Sequence, residues 1–437
     1  MANKKEDYLF LSAMLRARES KMLKRSKAEA MLDASSFGEA ARMVSDCGYK
    51  DMSAMNAKEI EQALNEHRAE EFAELGRMAP NESVVDLFRT KYDYHNVKTL
   101  LKAEAENVDR SDLLNDSGRI SVEKLTEAIH EDQLVGVPSI LGDAIREAKT
   151  VLARTGNPQL ADFILDRAYF EELDGFSKEL NSEFLKGYVQ VMIDSANLRS
   201  AVRTWRMHKD ADFLRTAFVP GGNVDEARLL NVTFSGNGEG LAQLFNTGTL
   251  SKAASLGAAA AAGGTMTEFE RACDDAVTAY LKKSGLVAYG EEPVITYLAE
   301  LEGEITTIRM ILTGRLAGIE PQVIKEGCVI FMLKIAVIGG RETVMGFKAL
   351  GLEACPVENL TEAKETLRKL TRDSDDYAII YIEENLAENL TDEIDRYKDL
   401  PKPAIILIPG REGSNGLGIN ALNAAVERAI GTNILEN

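Results

Sequence analysis

Residues 332–337 read Met-Leu-Lys-Ile-Ala-Val, and the chain changes character there. Upstream, patterning suited to helices fills the sequence. Downstream, short apolar runs alternate with charged amphipathic stretches. The runs at 378–382 (Ala-Ile-Ile-Tyr-Ile) and 404–408 (Ala-Ile-Ile-Leu-Ile) are apolar on both faces, as strands buried in a parallel sheet require. The spacing predicts strands over 333–338, 352–356, 377–382 and 404–408. Helices are expected over 342–350, 360–371, 386–398 and 419–430. The expected fold class is multidomain: an all-α body followed by an α/β parallel-sheet domain.

Ahead of residue 332 the helical signals are dense. Leu9, Met14, Leu15, Met22 and Leu23 fall on one face and predict a single helix over 7–27. Ser36 and Glu39 have capping-box spacing. Residues 56–78 are rich in strong helix formers, and a long helix over 81–104 follows Pro80. Asn157-Pro158 opens a helix with a cap and a proline, running to Asp174. Gly175 is a candidate break before a second long helix over 176–207. Signals over 225–244 are mixed, and the Ala/Gly-rich segment 255–264 suits a small-residue helix or a loop. Helices resume over 267–283 and 293–316.

One pattern recurs. Lys91-Tyr-Asp-Tyr-His-Asn-Val-Lys-Thr-Leu-Leu-Lys102 and Met192-Ile-Asp-Ser-Ala-Asn-Leu-Arg-Ser-Ala-Val-Arg203 share Asp-x-x-Asn-apolar-basic and a second base four positions later. Asp93 thus pairs with Asp194, Asn96 with Asn197, Lys98 with Arg199, and Lys102 with Arg203. A weaker third copy ends at Arg309, with Glu304 near the Asn position. The period, near 100 residues, is too long for a helical solenoid repeat. It suggests three related helical domains at 1–110, 111–220 and 221–331. An α/β domain at 332–412 and a Gly-rich connector with a last helix at 413–437 would follow.

Composition narrows the function. The chain of 437 residues carries a formal charge of −19. The acid excess is spread out, with 39 Lys+Arg against 52 Asp+Glu up to residue 331 and 12 against 18 beyond it. A net-acidic body argues against nucleic acid as a partner, because phosphate contacts need a basic face. Lys21, Lys24, Arg25 and Lys27 form a local basic stripe that reads as a solvated helix face. Cys47, Cys273, Cys328 and Cys355 are scattered without CxxC, and the 4 histidines lack metal spacing. No apolar run reaches the ~18 residues of a membrane span, and the N-terminal segment lacks a signal-type apolar region. A cytoplasmic protein is expected, with no cofactor and no inserted segment.

Chemical motifs are sparse. Gly339-Gly340 follows a strand, but the context Val-Ile-Gly-Gly-Arg-Glu-Thr is not a dinucleotide fingerprint, and no GxxxxGK[ST] occurs. A phospho-receiver needs an acid pair after the first strand and an aspartate ending the central one. Here the corresponding stretches are Gly-Gly-Arg-Glu and Ile382-Glu383-Glu384, so the phospho-acceptor is missing. The Gly-rich run 413–418 suits a flexible connector, and its amides could also cradle an anion. Tyr92–Asn96 is the densest polar cluster of the helical part. His95 has no nucleophile near it in sequence, so a packing network is the favoured reading. Trp205 is read as core. No catalytic constellation emerges, which points to a connector or scaffold.

The run from Leu87 to Lys102, with the second Asp194-x-x-Asn197-Leu-Arg copy, resembles the signature of the C subunit of V/A-type ATPases, the counterpart of the eukaryotic d subunit. Residues from 332 onward resemble the F subunit of the same enzymes through Lys334-Ile-Ala-Val-Ile-Gly339, the 377–384 strand, Ala404-Ile-Ile-Leu-Ile-Pro409 and Val426-Glu-Arg-Ala-Ile-Gly431. The family normally makes the two as separate chains. The resemblance implies a three-domain helical funnel fused to a small α/β domain with a mobile last helix. It implies a non-catalytic rotor component, one copy per complex, peripheral on the cytoplasmic side of the membrane. The implied partners are the rotor shaft (the D subunit), the membrane ring for proton or sodium transport, and, through the last helix, the A and B subunits of the catalytic head. Asp93, Asn96, Asp194 and Asn197 are the repeat or interface candidates. Leu422, Val426 and Ile430 form an apolar stripe on the last helix, which would be either a regulatory arm or ordinary packing. The competing reading is a cytosolic regulatory scaffold with a receiver-like, non-phosphorylatable effector domain; an enzyme with an unrecognised site is a third.

Overall fold

A computed structural model describes residues 5–246, 248–281, 284, 287–327, 334–349, 352–372, 377–397, 403–411 and 413–430. The chain forms two compact units, Met1–Ile330 and Phe331–Asn437.

Among its described residues the first unit is helical and contains no strand. It opens with α1 (Leu9–Glu19), α2 (Arg25–Asp33), α3 (Phe37–Arg42) and α4 (Ala57–Met78). The single helix expected over 7–27 is therefore two. The Ser20 hydroxyl folds back onto the Ala17 carbonyl, Lys24 is extended, and the Leu23 side chain is buried in the connection. Burial of one leucine thus outweighs a favourable local propensity. The Ser36–Glu39 box is half formed. Ser36 caps the Glu39 N–H, but the Glu39 carboxylate turns to the Ser35 N–H. Asn56 and Glu59 make the complete box, at α4.

Next come α5 (Ser83–Glu106), α6 (Val122–His130), α7 (Ser139–Thr155) and α8 (Pro158–Leu180), which share a core of Val97, Leu125, Leu141, Ile145 and Leu165. Gly175 lies inside α8 and does not break it. The break comes later, at Asn181 with φ 50° and at Ser182, which caps α9 (Glu183–Arg206) by accepting the Leu185 N–H. That helix shares a second core with α10 (Ala211–Ala217), α11 (Glu226–Phe234), α12 (Gly238–Leu244), α13 (Ser251–Ala261) and α14 (Met266–Leu281). The Ala/Gly-rich segment is the helix α13. Gly257 lets it close on Phe269 and Val202, which a Cβ would approach to 2.9 and 3.0 Å. Finally α15 (Glu291–Leu316) packs against α1 to α5 and is buried on nearly every side, as its apolar composition demands. The short α16 (Pro321–Gly327) follows.

The second unit is a parallel sheet of β1 (Lys334–Gly339), β2 (Glu353–Pro356), β3 (Tyr377–Glu383) and β4 (Ala404–Ile408), in the order β2-β1-β3-β4. Ala336 lies opposite Ile380, and Ile380 opposite Ile405. Its helices are α17 (Arg341–Ala349), α18 (Leu360–Arg372), α19 (Glu384–Ala387), α20 (Thr391–Asp395) and α21 (Leu417–Ile430). The helix expected over 386–398 is instead the short pair α19 and α20, interrupted at 388–390. The expectation of burial on both faces holds in part for β3: Ile380 and Ile382 share one face and are fully buried, while Ile379 and Tyr381 on the other are partly buried. It does not hold for β4, an edge strand whose Ile406 is 41% exposed.

Candidate functional site

The recurring Asp-x-x-Asn pattern builds the same clamp twice. On α5 the buried Asn96 donates from Nδ2 to the Asn115 carbonyl (2.8 Å), and its Oδ1 accepts the Asn115 N–H (2.9 Å). On α9 Asn197 does the same to Val219, at 2.7 and 2.8 Å. One turn earlier, Asp93 accepts the Ile120 N–H (3.2 Å) and Arg119 Nε (2.6 Å). Asp194 accepts the N–H groups of Asn223 (2.9 Å) and Val224 (3.2 Å). Each carboxylate presses on a glycine. A Cβ on Gly118 would lie 2.4 Å from Asp93 Oδ1, and one on Gly222 2.2 Å from Asp194 Oδ1. The clamp therefore folds a loop beneath its own helix through backbone atoms. Burial pushes both Asp carboxyls up, against the lowering pull of these donors.

The bases that follow staple each helix to a neighbour. Lys98 and Lys102 reach Asp166 and Asp162 of α8. Arg199 and Arg203 both reach Glu270 of α14. In the weaker third copy Arg309 reaches Glu61 of α4 at 2.5 Å. Glu304 is buried beside Tyr49. Burial lifts its carboxyl to about 7, against the pull of the Tyr49 hydroxyl and the Leu23 N–H.

These three helices meet at a cavity of about 340 Å³. Its lining includes Leu87 and Lys91 of α5, Tyr188 and Met192 of α9, and Ala299 and Glu302 of α15. In the repeat alignment Leu87 matches Tyr188 and Lys91 matches Met192, so equivalent positions face one space. Glu302 pairs with Arg68 Nε at 2.9 Å and Lys91 Nζ at 3.5 Å, and both its oxygens accept from the Tyr92 hydroxyl. Burial raises its carboxyl, but Lys91, Arg68 and Tyr92 outweigh that and hold it below the usual carboxylate range. The rest of the wall is largely apolar and aromatic. His95 lies against the Leu113 carbonyl at 2.9 Å, and Trp205 packs against the second core.

In the second unit the strand order reverses between β1 and β3, where open α/β sheets bind ligands beyond the strand ends. That crevice holds the protein's own Glu383. Its carboxylate accepts the Gly340 N–H at 3.1 Å, and a Cβ on Gly339 would come within 2.8 Å of Glu383 Cγ. The Gly-rich run does cradle an anion, and the anion is Glu384. Its oxygens accept the N–H groups of Asn415 and Gly418, both at 2.7 Å, and the Ser414 hydroxyl at 3.1 Å. These bonds, the Gly418 N–H foremost, hold its carboxyl below the usual range. Leu422 on α21 is 58% exposed; the side chains of Val426 and Ile430 lie outside the described residues. Among the described residues no group of three His, Cys, Asp or Glu side chains could hold a metal, and no helix is long and apolar enough to cross a membrane.

Comparison with known proteins divides the chain at the same place. The family model of the ATP synthase (C/AC39) subunit matches residues 11–327, and that of the ATP synthase (F/14-kDa) subunit matches 335–426. The C subunit of the V-type sodium ATPase of Enterococcus hirae is 24% identical over 321 residues, covering 73% of this chain and 97% of that protein. The C subunit of the A-type ATP synthase of Haloferax volcanii is 26% identical over 283 residues, 62% of this chain and 81% of that protein. The F subunit of the V-type ATP synthase of Clostridium botulinum (strain Eklund 17B) is 40% identical over 102 residues, 23% of this chain and 97% of that protein. The chain therefore belongs to the C-subunit family of V/A-type ATP synthases over its helical unit and to the F-subunit family over its α/β unit, as a C–F fusion.

Proposed function

We propose that the chain is a non-catalytic rotor component of a V/A-type ATPase, with both halves on the central stalk. The helical unit is the socket between shaft and membrane ring, and the α/β unit clasps the shaft, the D subunit. Because both halves rotate together, one chain can carry them without jamming the motor. Torque passes through packed helices, while ATP and the transported proton or sodium ion bind elsewhere in the complex. One copy serves each complex, on the cytoplasmic face, and α21 reaches the A and B subunits of the head.

The observation that carries this reading is the meeting of α5 and α9, at equivalent repeat positions, with α15 around one mostly apolar cavity that includes the paired carboxylate of Glu302. A seat this small would take a few apolar side chains from the tip of a protein shaft. The three bundles are proposed to be related by rotation, with α15 completing the first through its packing on α1 to α4. A photo-crosslinker replacing Met192, in membranes holding the assembled enzyme, should capture the shaft. Capture of the stationary peripheral stalk alone would defeat the proposal.

A further inference from the structure

We infer that Glu384 is the pin that fixes α21 to the sheet, so that the last helix is an arm with a rooted base; its use as an arm on the ATPase rests on the proposed function. Four observations converge. The carboxylate of Glu384, a residue only 1% exposed, gathers two backbone N–H groups and one hydroxyl from 414–418, as an N-cap acting from 30 residues away in sequence. Gly418 sits so close that a Cβ would lie 2.8 Å from the Leu407 carbonyl oxygen and 2.9 Å from Glu384 Oε1, so the first turn is seated by contact as well as by hydrogen bonds. Immediately beyond it, packing gives out: Ile419 is 63% and Leu422 58% exposed. The approach to the helix passes Gly413 and Gly416, with φ of 95° and 87°, a backbone that L side chains rarely adopt.

A helix of 14 residues is marginal alone in water, so its order depends on what holds it. Across the described residues the hold is concentrated at one end. Losing the pin should release the helix while leaving the sheet intact, because Ala336, Ile338, Ile380 and Ile382 form their core with α18 and α19. Glu384 is a positioning residue in this scheme, and the neighbouring Glu383, bonded to Gly340, has a separate partner.

Hydrogen–deuterium exchange on the full-length chain tests this. Glu384→Ala should speed exchange of amides 415–423 about tenfold or more, with β1 and β3 amides unchanged. Gly418→Ala, whose Cβ would crowd both the Leu407 carbonyl oxygen and Glu384 Oε1, attacks the seat from the helix side and should give the same local pattern. Unchanged exchange at 415–423 in both variants overturns the pin. Equal loss of protection in β1 and β3 also overturns it, since Glu384 would then be an ordinary determinant of folding. ATP hydrolysis by the assembled complex separates the two readings. Faster local exchange with an unaltered hydrolysis rate leaves the pin standing and removes the arm's role in the ATPase.

Discussion

Truncating Asn96 or Asn197 to alanine should cost the same at both sites, and the cost follows from the clamp. Each asparagine makes two hydrogen bonds to one residue's backbone, at 2.8 and 2.9 Å to Asn115 and at 2.7 and 2.8 Å to Val219. Both side chains are fully buried, and Val219 is 4% exposed, so water cannot substitute for them. Removing the amide strands one N–H and one C=O, at about 1–3 kcal/mol each, for a total of about 2–6 kcal/mol per variant. At about 2.1 cal/mol/K of unfolding entropy per residue, that corresponds to a fall in melting temperature of roughly 3–9 °C for a unit this size. Urea titration and thermal melts of the full chain, followed by far-UV circular dichroism, provide the measurement. Asn96→Asp keeps the acceptor for the Asn115 N–H but sets an oxygen against its carbonyl, so it should be no milder than alanine. A loss below about 0.5 kcal/mol at either site would refute the account of the clamp. A large loss at one site and none at the other would refute the equivalence of the two repeats.

Three further outcomes are expected. Glu304→Gln should stabilise the chain at pH 8.5 but not at pH 5. The native carboxyl, lifted to about 7 by burial, keeps a proton the unfolded chain releases nearer pH 4.5. Stability therefore falls as pH rises through that window, by up to the order of 3 kcal/mol, and melts of variant and parent at both pH values check the crossover. Gly222→Ala places a Cβ against the Asp194 carboxylate and should cost about 1–3 kcal/mol in the same melts. Truncating the full chain after residue 413 should leave a cooperative melt and change the ATP hydrolysis rate of the assembled enzyme; loss of cooperative folding would instead mark α21 as ordinary packing.

Much of the architecture is legible because it is written in side chains. Buried strands need apolar runs, and the 378–382 run announces β3 directly. The Asp-x-x-Asn repeat is legible too, but its targets are not. Asn115-x-x-Gly118-x-Ile120 and Val219-x-x-Gly222-x-Val224 occupy equivalent places, yet Asn115 and Val219 look unrelated because the clamp reads only their backbones. The shared glycine spacing is the available signal. Glu384 stays hidden for the same reason: its partners are mostly amides, present in any sequence, and only the local glycines hint at them. The helix break at 20–24 eludes the pattern because propensity there favours continuation while the burial of Leu23 decides otherwise; the break at 181–182 carries a cap-type signal, the Asn181-Ser182 pair, that Gly175 overshadows. The exposure of β4 is hidden because an apolar run does not reveal whether a strand has one neighbour or two.

The carboxylate of Glu383 at the end of β3 bears on what this unit can sense. A tethered ligand competes at an effective concentration set by its attachment, which reaches the millimolar range or above even for loose tethers and more for one this short. A free nucleotide or phosphate would have to displace it from the Gly340 amide while leaving a carboxylate buried beside the incoming charge. Changes in phosphate or nucleotide concentration should then leave this crevice unmoved.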